Sequence, residues 1–498
     1  MYVYRQNEIK NIDHNAAAQG FSLFTLMENA GRGLFEKIYP LLSKEKRIII
    51  LAGKGNNGGD GIVLARYLKH AGYHVDLTFP VGMPKTAIAK KHLSYYYEQG
   101  FDHKHFTIER HDYDVIIDCL LGIGTTLPLR PEMSVVIKWM NDSQALKMAV
   151  DVPTGVVADH GECGEAFQAD VTFCLHGAKP SAFLLPASHF YGRLHVIDIG
   201  LKQTSHIHIL SRKEVKASLP RRGAATHKGT YGTSLLVAGN DEMPGSALLS
   251  AIGAIRVGTG KLMIATTKFA ASIIATQVPE ATYLLSGLEQ IGNGDIPKKL
   301  AAVGIGPGID AKEKAQKALI ELMKHDMPLV VDAGALLPLE GWHHKREAPV
   351  ILTPHPGEFS RLTQLAMKDI QANRIEVAQQ LATSKQVTIV LKGQYTVIAF
   401  PDGEVIINPT GNSGLAKGGS GDVLTGIMVS MLATHKNWKE AIANAVYIHG
   451  LCADQWTEQY SEASMVASDF NKLLPIVLKQ IMQENDSYHD KLLKKKKF

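Results

Sequence analysis

Glu404-Val-Ile-Ile-Asn-Pro-Thr-Gly-Asn-Ser-Gly-Leu-Ala-Lys-Gly-Gly-Ser-Gly-Asp-Val-Leu-Thr-Gly426 decides the reading of the second half of the chain. It opens with a β-branched run at 404–407 and leads into an apolar, helix-period segment at 423–432. A strand, a glycine-rich turn and a helix N-terminus therefore lie in a row. Gly418, Gly419 and Gly421 carry no side chain, so backbone can approach a ligand closely. The free N–H groups of a first helical turn favour an anion. Asp422 stands at the mouth of that turn, where it would repel an anion that was merely held. Beside a phosphate cradle, a carboxylate suits a base that takes a proton from an attacking hydroxyl. A lone Gly-Asp would read as a helix cap; the whole string favours the functional reading.

Around this stretch, strands expected at 233–238, 261–266, 301–305, 329–332, 350–353 and 387–392 alternate with helical segments, which is an α/β pattern. Small residues from Gly245 to Gly258 suit a helix packed tightly on a sheet. Four turns stand out. Gly304-Ile-Gly-Pro-Gly308 permits close backbone approach, and Asp332-Ala-Gly-Ala ends a strand. Thr353-Pro-His-Pro-Gly-Glu358 frames His355 between two prolines. Lys392-Gly-Gln-Tyr-Thr396 places a cation and a hydroxyl on a short hairpin, suited to a nucleotide phosphate.

The first half is mainly helical over 9–40, where Met27-Glu-Asn-Ala-Gly-Arg-Gly offers small residues for close helix packing. The strand Arg47-Ile-Ile-Ile-Leu-Ala52 then runs into Gly53-Lys-Gly-Asn-Asn-Gly-Gly-Asp-Gly61 and a helix expected at 62–70. Gly53, Gly55 and Gly58 satisfy the dinucleotide pattern, and Asp76 comes about 20 residues on, where a ribose ligand would lie. The inserted Asn56, Asn57 and Asp60 argue against that reading. They suit hydrogen bonding to a ligand or oxygen ligation of a cation. Strands at 114–121 and 147–152 end in Asp118-Cys-Leu-Leu-Gly-Ile-Gly-Thr-Thr and Asp151-Val-Pro-Thr-Gly155. In an open parallel sheet such ends converge on one crevice. Asn57, Asp118 and Thr154 would then meet with oxygen ligands only, which suits a hard, even monovalent, cation. Asp60 and Asp151 remain for acid–base work. Singly, each aspartate would read as a cap; three matching turns favour a site. The last strands are expected at 170–175 and 193–199, with Lys179-Pro180 in a loop.

Size and composition set the bounds. The chain has 498 residues, 45% apolar and 20% charged, with a net charge of +5, as expected for an enzyme of two or three domains. No apolar run reaches membrane-spanning length, and the N-terminus lacks a signal-peptide core. Cys119, Cys163, Cys174 and Cys452 show no paired or metal-like spacing, and read as reduced thiols. A cytoplasmic location is expected, with neither nucleic acid nor membrane as partner. The domain boundary falls within 207–220, before or at Pro220-Arg-Arg-Gly. The domains are residues 1–210 and 211–487, with a basic, frayed tail at 488–498.

At these residues a resemblance is plain. Gly-Lys-Gly-Asn-Asn-Gly-Gly-Asp-Gly, with Asp-Cys-Leu-Leu-Gly-Ile-Gly and Asp-Val-Pro-Thr-Gly, resembles the NAD(P)H-hydrate epimerase domain over roughly residues 5–205. The resemblance implies a Rossmann-like fold and a potassium ion on Asn57, Asp118 and Thr154. It implies contacts to hydrated nicotinamide from Asn56, Asn57, Gly58, Gly59, Asp60, Gly122, Ile123, Gly124, Thr125, Thr126, Leu127, Pro128 and Asp151, with Asp151 catalytic. Thr154 departs from the usual serine, but its hydroxyl still ligates. The turns of the second half, with Asn412 and Gly418-Gly-Ser-Gly-Asp422, resemble the ADP-dependent NAD(P)H-hydrate dehydratase, a ribokinase-like α/β/α domain, over about 221–485. That implies nucleotide contacts at Lys392, Gly393, Gln394, Tyr395, Thr396 and Gly421. It implies substrate contacts at Ala247, Gly306 or Gly308, His355 and Asp422, with Asp422 the base. Asp310 stands where that family often has glycine.

Together the resemblances imply a bifunctional repair enzyme, both isomerase and lyase. It would interconvert the R and S forms of hydrated NADH or NADPH and dehydrate the S form with ADP and Mg2+, giving AMP and phosphate. A homo-oligomer is expected. One alternative is a hydroxyethylthiazole-type small-molecule kinase fused to a nucleotide-binding module. Another is a non-catalytic N-terminal scaffold attached to an active second half.

Overall fold

The computed structural model describes residues 1–109, 112–337 and 346–483. The chain divides into two compact units, Met1–Ile207 together with Gln371–Asn373, and His208–Ile370 together with the residues from Arg374. The division falls at the early edge of the expected 207–220 window. The expected tail at 488–498 lies outside the described residues. Among the described residues no helix is long and apolar enough to cross a membrane.

In the first unit, β1 (Arg47–Ala52), β2 (His74–Thr78), β3 (Val115–Cys119), β4 (Leu146–Val150), β5 (Val171–Leu175) and β6 (Arg193–Ile197) form one sheet in the order β2-β1-β3-β4-β5-β6. All neighbours are parallel. The uninterrupted Ile48–Ala52 run is buried because a parallel sheet is covered on both faces. Ile48, Ile50 and Ala52 pack with Leu26, Ala30 and Leu34 of helix Leu23–Ile38. Ile49 and Leu51 turn to the other face, against Met133, Ile137 and Met140 of helix Pro131–Asp142.

The helix after β1, α1 (Asn56–His70), starts at Asn56, six residues before the expected start at 62. Asn56 to Gly61 are thus helical rather than a loop. Glycines are poor helix formers, but here packing decides. A Cβ on Gly59 would stand 2.5 Å from Met27 Sδ, one on Gly61 2.7 Å from Cys119 Cβ, and one on Gly31 2.3 Å from Val63 Cγ1.

In the second unit, β7 (Thr233–Val237), β8 (Lys261–Thr266), β9 (Thr282–Leu285), β10 (Ala302–Ile305), β11 (Leu329–Val331), β12 (Val350–Leu352), β13 (Thr388–Leu391), β14 (Val397–Ala399) and β15 (Val405–Ile407) run in the order β15-β14-β13-β12-β11-β10-β7-β8-β9. The strands from β9 to β13 are parallel, and β14 and β15 follow as an antiparallel hairpin. Three helices carry polar or small residues to the carboxyl ends of these strands: α2 (Pro244–Arg256), α3 (Pro356–Thr363) and α4 (Ser420–Thr434). Helix α4 starts three residues before the expected 423, so Gly421 and Asp422 lie in its first turn.

Helices α2 and α4 cross in backbone contact. A Cβ on Gly253 would stand 2.3 Å from Val423 O, and one on Gly426 1.8 Å from Ser250 O. Gly426→Ala should therefore force the helices apart and lower stability by about 1–3 kcal/mol, read as a drop of several degrees in the thermal midpoint. An unchanged midpoint would show that the crossing tolerates a methyl group.

Candidate functional site

Each sheet places its polar turns at the carboxyl ends of its parallel strands. In the first unit the turns after β1 and β3 touch. Gly53 N donates to Cys119 O at 3.0 Å. A Cβ on Gly53 would lie 1.8 Å from Leu120 O, and one on Gly58 2.1 Å from Gly53 O. These two glycines of the dinucleotide pattern are required by protein backbone, not by a pyrophosphate. Asp76 sits in mid-strand on β2, where the Tyr113 hydroxyl donates to it at 3.0 Å. The dinucleotide reading fails on both counts.

The structure does bring Asn57, Asp118 and Thr154 together. Asn57 Nδ2 donates to Leu121 O at 2.9 Å, and Leu121 N donates to Thr154 Oγ1 at 3.1 Å. Thr154 donates to Asp118 through Oγ1 at 2.7 Å and through its N–H at 2.8 Å; Leu120 N donates to the same carboxylate at 3.0 Å. Burial pushes the Asp118 carboxyl up to about 6 against these bonds. Asn57 Oδ1 is buried with no hydrogen-bond partner. A buried acceptor left orphaned is costly unless something fills the place. One amide oxygen, one hydroxyl and one carboxylate fit a hard monovalent cation.

Beside this group, Asp151 follows β4 with a φ of 68°, an uncommon conformation for a residue with a side chain. Its Oδ1 accepts from Leu175 N at 3.2 Å and from the Lys179 ammonium. Asp60 and Asp13 lie close by. Burial, then Asp151 and Asp13, push the Asp60 carboxyl well above the usual carboxylate range. Burial and Asp151 raise Asp13 to about 6. Asp60 is buried inside α1 rather than projecting from a loop. Of the segment 122–128, Gly122 borders the site: a Cβ there would be 3.3 Å from Asn57 Cβ and 3.4 Å from Asp151 Oδ2. Thr125 is buried and donates to Gly122 O at 2.9 Å, whereas Gly124, Thr126, Leu127 and Pro128 are exposed. Lys179 and Asp13 were not legible as site residues; no local pattern marks them.

In the second unit, a cavity of about 870 Å³ is lined by Asp332, His355, Glu358, Lys392, Gly393, Gln394, Thr396, Asn412, Ser420, Gly421, Asp422 and His449, among others. Helix α4 opens on it. Its N-cap is Gly419, at φ 88°, with no side-chain cap. A Cβ on Gly419 would stand 2.4 Å from Leu249 Cδ1, while Gly418 has nothing within 4 Å and Gly421 only Lys392 Nζ at 3.4 Å. Asp422 is therefore not the cap. Burial raises its carboxyl to about 6, opposed by a hydrogen bond from Ser246. Ser246, in the first turn of α2, was missed by sequence reasoning.

Lys392 bridges carboxylates. Its Nζ lies 2.9 Å from Asp332 and 3.9 Å from Glu358. Burial pulls the ammonium down, but these carboxylates outweigh it and raise its pKa. Asp332 also accepts from Thr425 Oγ1 of α4 at 2.8 Å. The hairpin turn 392–396 is held by Arg374, which donates to Leu391 O at 2.8 Å and Lys392 O at 2.9 Å. Tyr395 turns at φ 54°, and Thr396 Oγ1 donates to Gly393 O at 3.1 Å. His355 caps α3, its Nδ1 accepting from Gly357 N at 3.0 Å and Glu358 N at 3.3 Å, with the ring exposed at the cavity. His449, pulled down to about 4 by burial, is neutral and donates from Nε2 to Ser420 O at 2.9 Å. Asn412 binds Asp454 at 3.0 Å. Ala247 and Gly306 are buried and do not line the cavity. A Cβ on Gly306 would meet Asp332 O at 1.7 Å and one on Gly308 Ser246 Cβ at 2.8 Å, so these glycines serve packing between turns. Asp310 is exposed.

Comparison with known proteins extends this geometry. Residues 234–475 match the NAD(P)H-hydrate dehydratase family, and residues 23–181 match the family described as YjeF-related protein N-terminus. The ADP-dependent (S)-NAD(P)H-hydrate dehydratase of Bacillus subtilis is 47% identical over 270 residues, covering 54% of this chain and 97% of that protein. The bifunctional NAD(P)H-hydrate repair enzyme of Thermofilum pendens is 32% identical over 517 aligned residues, covering 98% of both chains. That of Moorella thermoacetica is 34% identical over 525, covering 97% and 98%. The crystal structure of the ADP/ATP-dependent NAD(P)H-hydrate dehydratase from Bacillus subtilis, co-crystallised with ATP/Mg2+, gives a TM-score of 0.54 at 46% identity, over 55% of this chain and 98% of that one. A ribokinase-like superfamily protein of Enterococcus faecalis gives 0.50 at 27% identity, over 57% and 99%. With two full-length relatives above 30% identity and both halves matched separately, the chain belongs to the family of bifunctional NAD(P)H-hydrate repair enzymes.

Proposed function

We propose that the chain restores hydrated NADH and NADPH, with residues 1–210 interconverting the two epimers and residues 211–487 dehydrating the S form with ADP. The observation that carries the reading is Asp422: a half-buried carboxylate in an uncapped helix turn, facing the cavity beside Lys392. Water added to the ring double bond of reduced nicotinamide leaves a hydroxyl on the carbon next to nitrogen. Hydroxide leaves poorly, so the hydroxyl must first be esterified. Asp422 takes the hydroxyl proton, the oxygen attacks the terminal phosphorus of ADP, and AMP departs. The phosphate ester then leaves as phosphate while the neighbouring carbon loses a proton, and the double bond returns. The N–H groups at the start of α4 and the Lys392 ammonium face the transferring phosphoryl group. Gln394, Tyr395 and Thr396 complete the nucleotide turn, and His355 meets the substrate. Among the described residues no cluster of three His, Cys, Asp or Glu side chains forms a metal site; Mg2+ would enter on the nucleotide phosphates.

In the first unit the carbon–oxygen bond opens as the ring nitrogen's electron pair forms a C=N bond. Asp60, kept protonated by burial, gives its proton to the departing hydroxyl, which leaves as water. Water then adds to the other face and gives a proton to Asp151. Asn57 Oδ1, Asp118 and Thr154 would hold a potassium ion that fixes the turns around Asp151.

Three outcomes test the reading. Wild-type protein with the S form and ADP should regenerate NADH absorbance, and Asp422→Asn should slow this at least ~100-fold while nucleotide still binds; no recovery with ADP or ATP would leave the small-molecule kinase reading. Because the base must be ionised and burial holds Asp422 near 6, the recovery rate should fall as pH drops through about 6 and level off above it. Exchange of KCl for choline chloride at equal ionic strength should lower the thermal midpoint of wild type but not of Asn57→Ala; equal loss in both would remove the cation from this site.

A further inference from the structure

Lys179 has no part in the proposed chemistry, yet it is among the most deeply buried charged side chains of the described residues, 1% exposed. A lysine is rarely buried so fully unless its charge is matched. Its ammonium has three N–H groups and three acceptors: Asp151 Oδ1, Leu175 O at 3.1 Å and Gly177 O at 3.0 Å. The two carbonyls belong to the end of β5 and the turn after it, so the ammonium cannot swing. Asp151 is clamped from its other side. Its N–H donates to Phe173 O at 2.8 Å, its Oδ1 takes Leu175 N at 3.2 Å, and its backbone is held at φ 68°. Both bonds to the carboxylate end on Oδ1. Oδ2 is the oxygen that faces Gly122, next to Asn57.

We infer that Lys179 is a positioning residue for the N-terminal reaction: it pins Oδ1 of Asp151 so that Oδ2 alone is presented to substrate at the Gly122 turn. This rests on the proposed epimerase activity of the first unit. Without the ammonium, the carboxylate would rotate freely about its last bond. It would also sit beside the Asp13 carboxylate with no cation to offset the repulsion of like charges. The proton accepted from the incoming water would then meet an oxygen in the wrong place, and substrate binding by the exposed turn would persist.

The test uses the full chain, with each purified epimer of hydrated NADH as substrate. Epimerisation of the R form is followed through its conversion and recovery as NADH. Lys179→Met should lower kcat for R-form conversion at least ~100-fold, with KM within about threefold. Recovery of the S form with ADP should be unchanged, since that step uses the other unit. Lys179→Arg should restore at least a tenth of the rate. The double variant Asp151→Asn/Lys179→Met should be no slower than Asp151→Asn alone, since Lys179 acts through Asp151. Should Lys179→Met fail to fold, seen as a lost thermal transition, Lys179→Gln carries the same expectation. A folded variant with kcat within about threefold of wild type would overturn the proposal, as would losses that multiply in the double variant. Wild-type protein that leaves the R form untouched would instead remove the epimerase reading itself, a result distinct from active wild type with an indifferent Lys179.

Discussion

The structure depends on backbone pressed against backbone where parallel strands end. In the first unit Gly53 lies on Leu120 and Gly58 on Gly53; in the second, Gly306 lies on Asp332 and Gly334 on Ile309 O, where a Cβ would stand at 1.8 Å. A side chain at any of these places would separate neighbouring turns by the width of a methyl group. The functional groups sit on those turns. Asn57, Asp118 and Thr154 share one hydrogen-bonded knot only because the turns after β1, β3 and β4 nearly touch. Asp332 reaches both Lys392 and Thr425 for the same reason.

A second rule recurs within each unit. A strand-end aspartate is paired with a lysine: Asp151 with the buried Lys179, Asp332 with the half-buried Lys392. Taking such charges out of water is unfavourable, and the pair repays this only when the remaining donors and acceptors are matched. Lys179 meets that condition with two carbonyls. Lys392 meets it with carboxylates, and it keeps a partly exposed face at the cavity. The first is thereby a fixed internal support, while the second stays available to an anion that enters.

Strand positions were legible because apolar runs such as Arg47–Ala52 and Lys261–Thr266 are bounded by turn residues. The short strands Thr282–Leu285 and Val397–Ala399 were not read, since each is brief and lies towards a sheet edge or in a hairpin. Both site helices begin earlier than local propensity suggests. Gly58, Gly59 and Gly61 weaken a helix in isolation, and tertiary contacts with Gly53, Met27 and Cys119 override that preference. The residues flanking the strand-end turns were legible because chemistry and turn signals coincide there. Lys179, Asp13 and Ser246 were not. Their relevance comes from proximity in space: Asp13 lies far along the chain from Asp151, and Ser246 far from Asp422, yet each meets it in the fold.

Arg374 gives the hairpin turn at 392–396 a particular character. Its guanidinium occupies the place where a side chain at 393 would stand, 2.4 Å from that Cβ, and it binds the carbonyls of Leu391 and Lys392. The hairpin is thus moulded from behind by the protein. A nucleotide binding there, as proposed, would meet a surface already in shape, and the chain would lose little conformational freedom. Affinity then varies chiefly with how fast the guest departs, and tight retention of AMP would itself slow every turnover.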